Sequence, residues 1–309
     1  MPQGTALRTG NHHTAQRWAG FLRESRHRVS IEEEWGAANV DALIALHARK
    51  SAASVERFHE KYPERPLIVA LTGTDLYRDI DNSAEARRAL ELASRLIVLQ
   101  PRGRSHLARK LRAKTRVVFQ SSDTRLTHRP LKRRFRVIVV GNLREEKDPF
   151  RSVAALGHLP SRDRIELVQL GASLAPEMAK TAMRWMKKDR RYHWMGSRPH
   201  AQALREIASS HLLVVSSVME GGANVICEAS RIGVPVLASR VSGNIGMLGA
   251  DYPGYFALFD DRKLARLIAR AMDDRSFYAS LKRAVLARRP LFAPAAERRG
   301  LDDLLREFG

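Results

Sequence analysis

Short runs of branched apolar residues alternate with stretches of helical period along most of the chain. The runs predict strands within HRVSIEE, ALIALHA, PLIVALTG, RLIVLQ and TRVVFQ, and later within FRVIVVGN, RIELVQLG, RYHWMG, LLVVSS and VPVLAS. In the first half, the intervening spacing predicts helices over 15–26, 51–61, 83–94 and 103–112. Strands that alternate with helices are typical of parallel βαβ units. The pattern therefore predicts an α/β fold with a doubly wound parallel sheet in each half.

The length predicts two domains. A chain of 309 residues exceeds the size at which one core keeps growing, and domains of roughly 150 residues are expected. The stretch THRPLKRRFR over 127–136 is polar, basic and interrupted by proline, so we interpret it as the linker. We expect a first domain over 1–130, a second over 131–287 and a C-terminal helical segment over 288–309.

The start of the chain lacks one expected element. The ten residues before Asn11 contain only two aliphatic side chains, Ala6 and Leu7. A doubly wound domain normally opens with a buried strand at the centre of its sheet, so the first domain is expected to lack that strand. Our hypothesis for the loss is a start codon upstream of the present one.

Cysteine content and hydropathy indicate a compartment. The single cysteine, Cys227, cannot form an internal disulfide, which favours a reducing environment. No apolar run approaches the roughly 18 to 20 residues of a membrane span, and the first residues contain no signal-peptide core. We expect a cytoplasmic protein without a membrane span.

The positive charge is unevenly distributed. Of the net charge of +21, +13 falls in the 42 residues over 95–136, where 14 Lys and Arg face one acid, Asp123. Such a stretch can be a solvated face, a field that draws anionic substrates toward a cleft, or a nucleic-acid surface. No metal-ligand spacing, aromatic platform or basic zipper accompanies it, so we expect no nucleic-acid partner. A basic nucleic-acid-binding protein remains the alternative from another class.

The strongest motif is SSVMEGGANVICEA over 216–229, which follows an apolar strand and opens a helix. Open α/β sheets bind ligands at such strand ends. Gly221 and Gly222 allow a close approach of the backbone, and the N–H groups of Ala223, Asn224 and Val225 at a helix start suit a phosphate. Carboxylates do not favour an anion, but they accept hydrogen bonds from vicinal hydroxyls. Glu220 and Glu228 therefore suggest a sugar or a ribose.

A second strand leads into VVGNLREEKDP over 139–149. Gly141 and Asn142 form the turn, and Arg144 and Lys147 are spaced so that both cations can reach one side of the next helix. Converging cations can hold a diphosphate and neutralise the charge that it gains on leaving. Surface ion pairs with Glu145 or Glu146 are the alternative interpretation.

Together these loops resemble the nucleotide-sugar half of GT-B glycosyltransferases of family 4. Its G-x-L-x-x-x-K loop is matched by Gly141, Leu143, Arg144 and Lys147, and the acids of its E-x7-E element by Glu220 and Glu228. The turn that binds the base in that family is similar to Gly196, Ser197 and Arg198. Where the family has Pro-Phe, this chain has Gly221-Gly222, which is expected to leave more room around the sugar.

The resemblance implies two Rossmann-like domains that face a cleft, a UDP-sugar as substrate, and neither a metal nor a cofactor. The first glutamate would contact the sugar, in a catalytic role, and the second the ribose. A dinucleotide-dependent enzyme is disfavoured because no G-x-G-x-x-G follows a strand.

The first half is then expected to bind the acceptor. Arg8, Gly10 and Asn11 stand where a helix begins, which is an anion site by geometry and charge. After the strand PLIVAL, the stretch TGTDLYRDI carries Thr74, Asp75 and Arg78. We expect Asp75 to orient the substrate or contact the sugar, in a catalytic role, and the other residues to bind an anionic acceptor.

Three motifs narrow the resemblance: R-T-G-N-x-x-T-A-x-R-W, T-G-T-D-L-Y-R-D-I and M-E-G-G-A-N-V-I-x-E-A. Together they closely resemble the selenosugar synthases of selenoneine biosynthesis, the SenB family, from Arg8 to near the C-terminus. That family joins selenophosphate to the anomeric carbon of a UDP-sugar and releases UDP. A family 4-like transferase with a sugar or lipid acceptor is the alternative within this class, and the oligomeric state stays open.

Overall fold

The structure, a computed structural model, describes residues 10–159 and 164–309. The strands are β1 (Leu43–Leu46), β2 (Leu67–Leu71), β3 (Arg95–Val98), β4 (Thr115–Val117), β5 (Phe135–Val140), β6 (Ile165–Leu170), β7 (Tyr192–Trp194), β8 (Leu212–Val215), β9 (Val236–Ser239) and β10 (Tyr255–Phe256). The α-helices are α1 (Gly10–Glu24), α2 (Ala52–Lys61), α3 (Ile80–Asn82), α4 (Ala84–Leu92), α5 (Arg109–Arg112), α6 (Arg151–Leu156), α7 (Pro176–Lys188), α8 (His200–Ser209), α9 (Asn224–Ile232), α10 (Ser242–Leu248), α11 (Asp261–Asp273), α12 (Arg275–Arg288) and α13 (Pro294–Arg306). Shorter turns are π-helical over Asp75–Asp79 and 3-10 over Pro101–His106, Glu145–Lys147 and Arg289–Phe292.

The chain forms two compact units. The first unit contains the residues up to Ser121, the loop Glu220–Asn224 and the segment Ala293–Gly309, and the second contains Ser122–Met219 and Val225–Phe292. The C-terminal helix α13 thus belongs to the first unit, where the sequence suggested a separate segment over 288–309. Each half of the chain supplies one parallel sheet, and the predicted α/β fold with two doubly wound domains is confirmed.

The sheet of the first unit has the order β1-β2-β3-β4, with all strands parallel. Successive side chains of β2 point to opposite faces, so Val69 packs in the cluster that contains Phe58 of α2, while Ile68 packs against Trp18 of α1. Because all five residues of β2 are buried, this strand is apolar throughout.

The start of the first unit differs from the sequence expectation. In the described residues its four strands pair in consecutive order, so the sheet has no gap at its centre, and β1 lies at one edge. The strand predicted over 27–33 is absent from this part of the chain. Its only apolar residues are Val29 and Ile31, beside exposed glutamates, and Ile31 is itself 39% exposed. These residues bury too little apolar surface to hold a strand.

The sheet of the second unit has the order β10-β9-β8-β5-β6-β7, again parallel throughout. The chain order reverses between β5 and β8, so the topological switch point lies there. Strand β10 was not predicted, because its two residues are too short to show a period.

The stretch interpreted as a linker is packed on the second unit. The backbone N–H groups of His128, Arg129 and Leu131 donate to the carbonyl oxygens of Ile232, Ala208 and Ser209, at 3.1, 2.9 and 3.0 Å. The chain instead leaves the first unit after Ser121. The polar, proline-broken composition is explained by this extended backbone, whose donors are satisfied by neighbouring helix ends.

A buried carboxylate joins three segments of the first unit. Glu297 of α13 is 1% exposed and accepts hydrogen bonds from Arg17, from the indole of Trp18 and from Ser121. The shortest distances are 2.7 Å to Arg17 Nε, 2.6 Å to Trp18 Nε1 and 2.5 Å to the hydroxyl oxygen of Ser121. One side chain therefore holds together helix α1, the segment that ends at Ser121 and helix α13.

We expect Glu297→Ala to lower the free energy of unfolding by about 3 to 5 kcal/mol, because the Arg17 charge and the Trp18 donor lose their partner in a buried site. Glu307→Ala is the matched control, since Glu307 also pairs with two arginines, Arg95 and Arg116, but is partly exposed. It should cost only a small fraction of that loss. Urea denaturation measures both, and equal losses would contradict the special role of Glu297.

Candidate functional site

The loops predicted to bind a donor follow the two strands at the switch point of the second unit. The turn that begins at Gly141 follows β5, and the segment Ser216–Met219 follows β8, its neighbour in the sheet. Ligands of open α/β sheets bind outside the carboxyl ends of the strands at such a point. Sequence reasoning placed both motifs at strand ends, and the strand order places them side by side.

The loop after β5 is braced by the loop after β6. Gly141 and Gly171 have φ angles of +158° and +146°, and a Cβ on Gly171 would overlap the carbonyl of Gly141. The Asn142 Oδ1 atom accepts from the backbone nitrogen of Ala172 at 3.1 Å. Asn142, predicted to bind the donor, therefore also fixes the turn that presents Arg144.

The two predicted cations stand on this turn. Arg144 is exposed and precedes the 3-10 turn Glu145–Lys147. Its guanidinium makes no hydrogen bond or ion pair within the described ranges, so Arg144 does not form the ion pairs considered with Glu145 or Glu146 there. The Lys147 side chain runs past Gly141, where its Cδ and Cε atoms lie 3.9 Å from the position of an added Cβ.

The loop after β8 is attached to the same turn. The Ser216 hydroxyl donates to the carbonyl oxygens of Lys147 and Asp148 at 3.1 and 2.9 Å. The Val218 N–H donates to the carbonyl oxygen of Glu146 at 2.9 Å. The segment before Glu220 and the Arg144–Lys147 turn therefore form one hydrogen-bonded assembly in the second unit.

The predicted base-binding turn belongs to this assembly as well. The Gly196 carbonyl accepts from the backbone nitrogen of Gly171 at 2.9 Å, and Gly196 adopts a φ of +65°. Ser197 and Arg198 are exposed. The loops after β8, β5, β6 and β7 thus contact one another in the order in which these strands lie in the sheet.

A histidine missed by sequence reasoning completes the donor side. The Nε2 atom of His200, the first residue of α8, lies 2.8 Å from Oε1 of Glu228 in α9. The Glu228 side chain is only 13% exposed, and that of His200 is 51% exposed. Because His200 follows Gly196–Arg198 by two residues, its proximity to the predicted turn could have raised it as a candidate.

The loop Glu220–Asn224 belongs to the first unit and corrects one expectation. A Cβ on Gly221 would overlap the carbonyl of Thr72, and one on Gly222 would lie 2.7 Å from Cβ of Leu99. The two glycines do not leave more room around a sugar; they let the loop backbone lie against the strand ends, which fill that space. Glu220 precedes the pair and is 7% exposed, and Ala223 is buried at 3%.

Asp75 lies under the loop that follows β2. Its carboxylate is 0% exposed and accepts hydrogen bonds from the backbone nitrogens of Ala48, Thr72, Gly73 and Leu76, the shortest at 2.8 Å from Gly73. Both oxygens are thereby engaged by the protein. The carboxylate orders the ends of β1 and β2, and this geometry does not offer it to a substrate.

His47 is a second residue that sequence reasoning missed. It follows β1 with a left-handed φ of +80°, accepts at Nδ1 from the backbone nitrogen of Lys50 at 3.3 Å, and so carries its proton on Nε2, 3.0 Å from the Thr74 hydroxyl. Burial lowers the pKa of His47, although Asp75 opposes the shift. The His47 imidazole is therefore neutral and orients the Thr74 hydroxyl.

Arg78 does not project freely toward an anion. Its Nε lies 3.5 Å from Asp79, whose carboxylate also binds Arg49 at 3.0 Å and stands 3.7 Å from His47. The predicted acceptor residues Thr74 and Arg78 therefore belong to a cluster of paired charges at the ends of β1 and β2.

The entrance of α1 forms the other part of the predicted acceptor site. The Thr14 hydroxyl donates to the Gly10 carbonyl at 2.9 Å and accepts from Gln120 Nε2 at 2.6 Å. Because the Nε2 atom of Gln120 donates to Thr14, its Oε1 atom remains as an acceptor. Within the described residues, Gln120 Oε1 and Asn224 Oδ1 are buried and have no hydrogen-bond partner. Asn11 is half-buried, and Arg8 lies outside the described residues.

Polar residues follow every strand of the first unit. His47, Thr72, Gln100 and Gln120 follow β1 to β4 in turn, and all but the half-buried Thr72 are buried. A polar residue directly after an apolar run is a signal in the sequence that could have identified His47, Gln100 and Gln120.

Over residues 10–159 and 164–309, no group of three or more His, Cys, Asp or Glu is arranged to hold a metal ion. Within the same ranges, no helix is both long and apolar enough to cross a bilayer.

Solved structures share this architecture. HepE of Anabaena, crystallised with UDP and glucose, is 18% identical with a TM-score of 0.73, and the match covers 86% of this chain and 78% of that one. Sucrose-phosphate synthase of Thermosynechococcus elongatus is 17% identical with a TM-score of 0.73, over 98% and 81% of the two chains. At such identities the likeness shows the fold: two Rossmann-like domains of the GT-B class.

The family follows from the sequence match. The model of the glycosyl transferases group 1 family matches residues 120–287, more than half of the chain. The protein belongs to that family. The matched range contains the turns after β5, β6 and β7, the loop after β8 and helix α9 with Glu228.

We expect Gly221→Ala and Gly222→Ala each to destabilise the protein by about 1 to 3 kcal/mol, because an added methyl group must displace packed neighbours. Gly36→Ala is the control, since no atom lies within 4 Å of its added Cβ. Thermal or urea denaturation measures the losses. Wild-type stability of both loop variants would contradict the close packing of this loop.

Proposed function

We propose that the protein joins selenophosphate to the anomeric carbon of a UDP-sugar and releases UDP. The observation that carries the donor assignment is Arg144, an exposed and unpaired cation within the described residues, at the switch point of a parallel sheet. The selenium assignment is supported by the three motifs that resemble selenosugar synthases. The charge of +21 supports anionic substrates.

The donor is assigned to the second unit. Arg144 and Lys147 would bind the diphosphate, and each charge-assisted hydrogen bond contributes about 1.5 to 3 kcal/mol. Val225, in the first turn of the nine-residue helix α9, would add a backbone N–H donor. Gly196, Ser197 and Arg198 would contact the base, and Glu228 would accept from the ribose hydroxyls.

The acceptor is assigned to the first unit. Gly10 and Asn11 are the first described residues of a helix of 15 residues, and the N-terminal end of a helix favours an anion. Arg8 precedes this entrance in the chain, and Thr74 offers a hydroxyl that His47 orients. Glu220 would orient the sugar.

The reaction exchanges one bond at the anomeric carbon for another. The selenium of selenophosphate supplies the electron pair of the new C–Se bond. The bond between the anomeric carbon and the β-phosphate oxygen breaks, and UDP leaves with the electron pair of that broken bond. Arg144 and Lys147 would neutralise the charge that develops on the leaving phosphate. A selenium nucleophile is already anionic, so the step requires no strong base, and a buried Asp75 is compatible with it.

One observation favours a second candidate, a family 4-like transferase with a sugar acceptor. Gln120 Oε1 and Asn224 Oδ1 are buried and lack donors within the described residues. Buried acceptors without partners are costly, and the hydroxyls of a sugar would satisfy them.

The deciding experiment supplies purified protein with a panel of UDP-sugars and either selenophosphate or candidate sugar acceptors. We expect UDP release and a product containing a C–Se bond, detected by mass spectrometry, only with selenophosphate. Turnover of sugar acceptors without selenophosphate would establish the second candidate. Duplex binding with steep salt dependence and no UDP affinity would instead favour the nucleic-acid alternative.

The donor site is tested by Arg144→Ala combined with Lys147→Ala. We expect UDP affinity to fall at least about 100-fold, because two charge-assisted contacts are lost. Arg184→Ala with Lys187→Ala is the matched control, since these exposed cations have the same spacing on α7 and the same charge change. Calorimetry that finds unchanged affinity in the first variant would overturn the assignment.

A further inference from the structure

One contact on the donor side is not explained by the roles assigned above. Glu228 is assigned to the ribose, and its only hydrogen bond among the described residues comes from His200, at 2.8 Å. An ionised carboxylate accepts and cannot donate, so His200 Nε2 carries the hydrogen. His200 is therefore the hydrogen-bond donor in this contact, whether its imidazole is neutral or protonated.

The geometry leaves one of the two Glu228 carboxylate oxygens available to a ligand. His200 binds Oε1 of Glu228, and Oε2 has no partner among the described residues. A glutamate side chain in solution samples several rotamers, and a fixed rotamer lowers the entropy lost when a ligand binds. The contact links the first residue of α8 to α9, so it also couples Glu228 to the turn that ends at Arg198.

Stability alone does not account for this pair. The His200 side chain is 51% exposed, and exposed ion pairs contribute little to folding. Glu228, by contrast, is mostly buried and lies beside the start of α8, where a negative charge is favoured. The carboxylate is thus held in place at the edge of the candidate donor site.

We propose that His200 is a positioning residue that holds Glu228 for the vicinal hydroxyls of the donor ribose. The inference rests on the proposed function, because it requires Glu228 to bind a ribose. Its consequence is selectivity: the chain should prefer UDP to 2′-deoxy-UDP, and part of that preference should depend on His200.

The test measures the affinities of UDP and 2′-deoxy-UDP for the wild type, His200→Ala, His200→Gln and Glu228→Ala. We expect His200→Ala to reduce the preference for UDP about fivefold, the effect of one ordinary hydrogen bond. His200→Gln, whose amide can donate to Glu228, should restore most of it. The KM for the acceptor should stay unchanged, which a general structural defect would not produce.

His158→Ala is the matched control, because His158 forms a comparable surface pair with Asp261 in the same unit, at 3.3 Å. It should leave the preference for UDP intact. If Glu228→Ala abolishes the preference while His200→Ala retains it, the positioning role is overturned and the ribose assignment stands. If Glu228→Ala leaves both affinities unchanged, the donor site of the proposed function fails.

Discussion

The first unit depends on one buried carboxylate. Glu297 lies on the last helix, yet its partners are in the first helix and at Ser121, where the chain leaves this unit. A charge without water is tolerated only when each lone pair has a donor, and here Arg17, Trp18 and Ser121 supply them. The same contacts fix helix α1, whose entrance is the candidate anion site. Gln120 precedes Ser121 and binds Thr14, so the core contact and the site are two parts of one network.

In the second unit the corresponding constraint is strand order. The strand order reverses between the parallel strands β5 and β8, so the crossover connections run away from the gap between their carboxyl ends, and the two loops predicted to bind the donor occupy that position. Each loop is then fixed by its neighbours: Gly171 against Gly141, and Ser216 against the turn at Lys147. The Arg144 guanidinium makes no hydrogen bond or ion pair within the described residues, while the backbone beneath it is held. A cation presented on a rigid turn is the arrangement that diphosphate binding requires.

The sequence predicted the features that are local and failed for those that depend on contacts between distant segments. The motif that begins at Gly141 contains a glycine and two cations, and the motif that begins at Ser216 contains two glycines and two acids. Each motif is a short continuous stretch, so the sequence alone could raise it as a candidate site. Glu297 could not be identified in this way, because its partners lie about 280 residues earlier in the chain, at 17 and 18. Gly221 and Gly222 were interpreted as open space because a missing side chain resembles a vacancy until the neighbouring backbone is known. The linker interpretation of 127–136 failed similarly, since an extended segment that donates to helix ends has a linker's composition.

The strand ends of the first unit indicate two chemical properties that an acceptor substrate bound there would need. The entrance of α1 supplies backbone donors and favours a negative charge, whereas Gln120 Oε1 and Asn224 Oδ1 require a donor. A neutral sugar would satisfy only the second demand. An unprotonated anion would satisfy only the first. An oxyanion that retains one hydroxyl group would satisfy both, and selenophosphate with one bound proton has that chemistry. If this unit binds the acceptor as we propose, its polar atoms would restrict the acceptor more than its net charge does, because charge attracts every anion while these two oxygens would select among them.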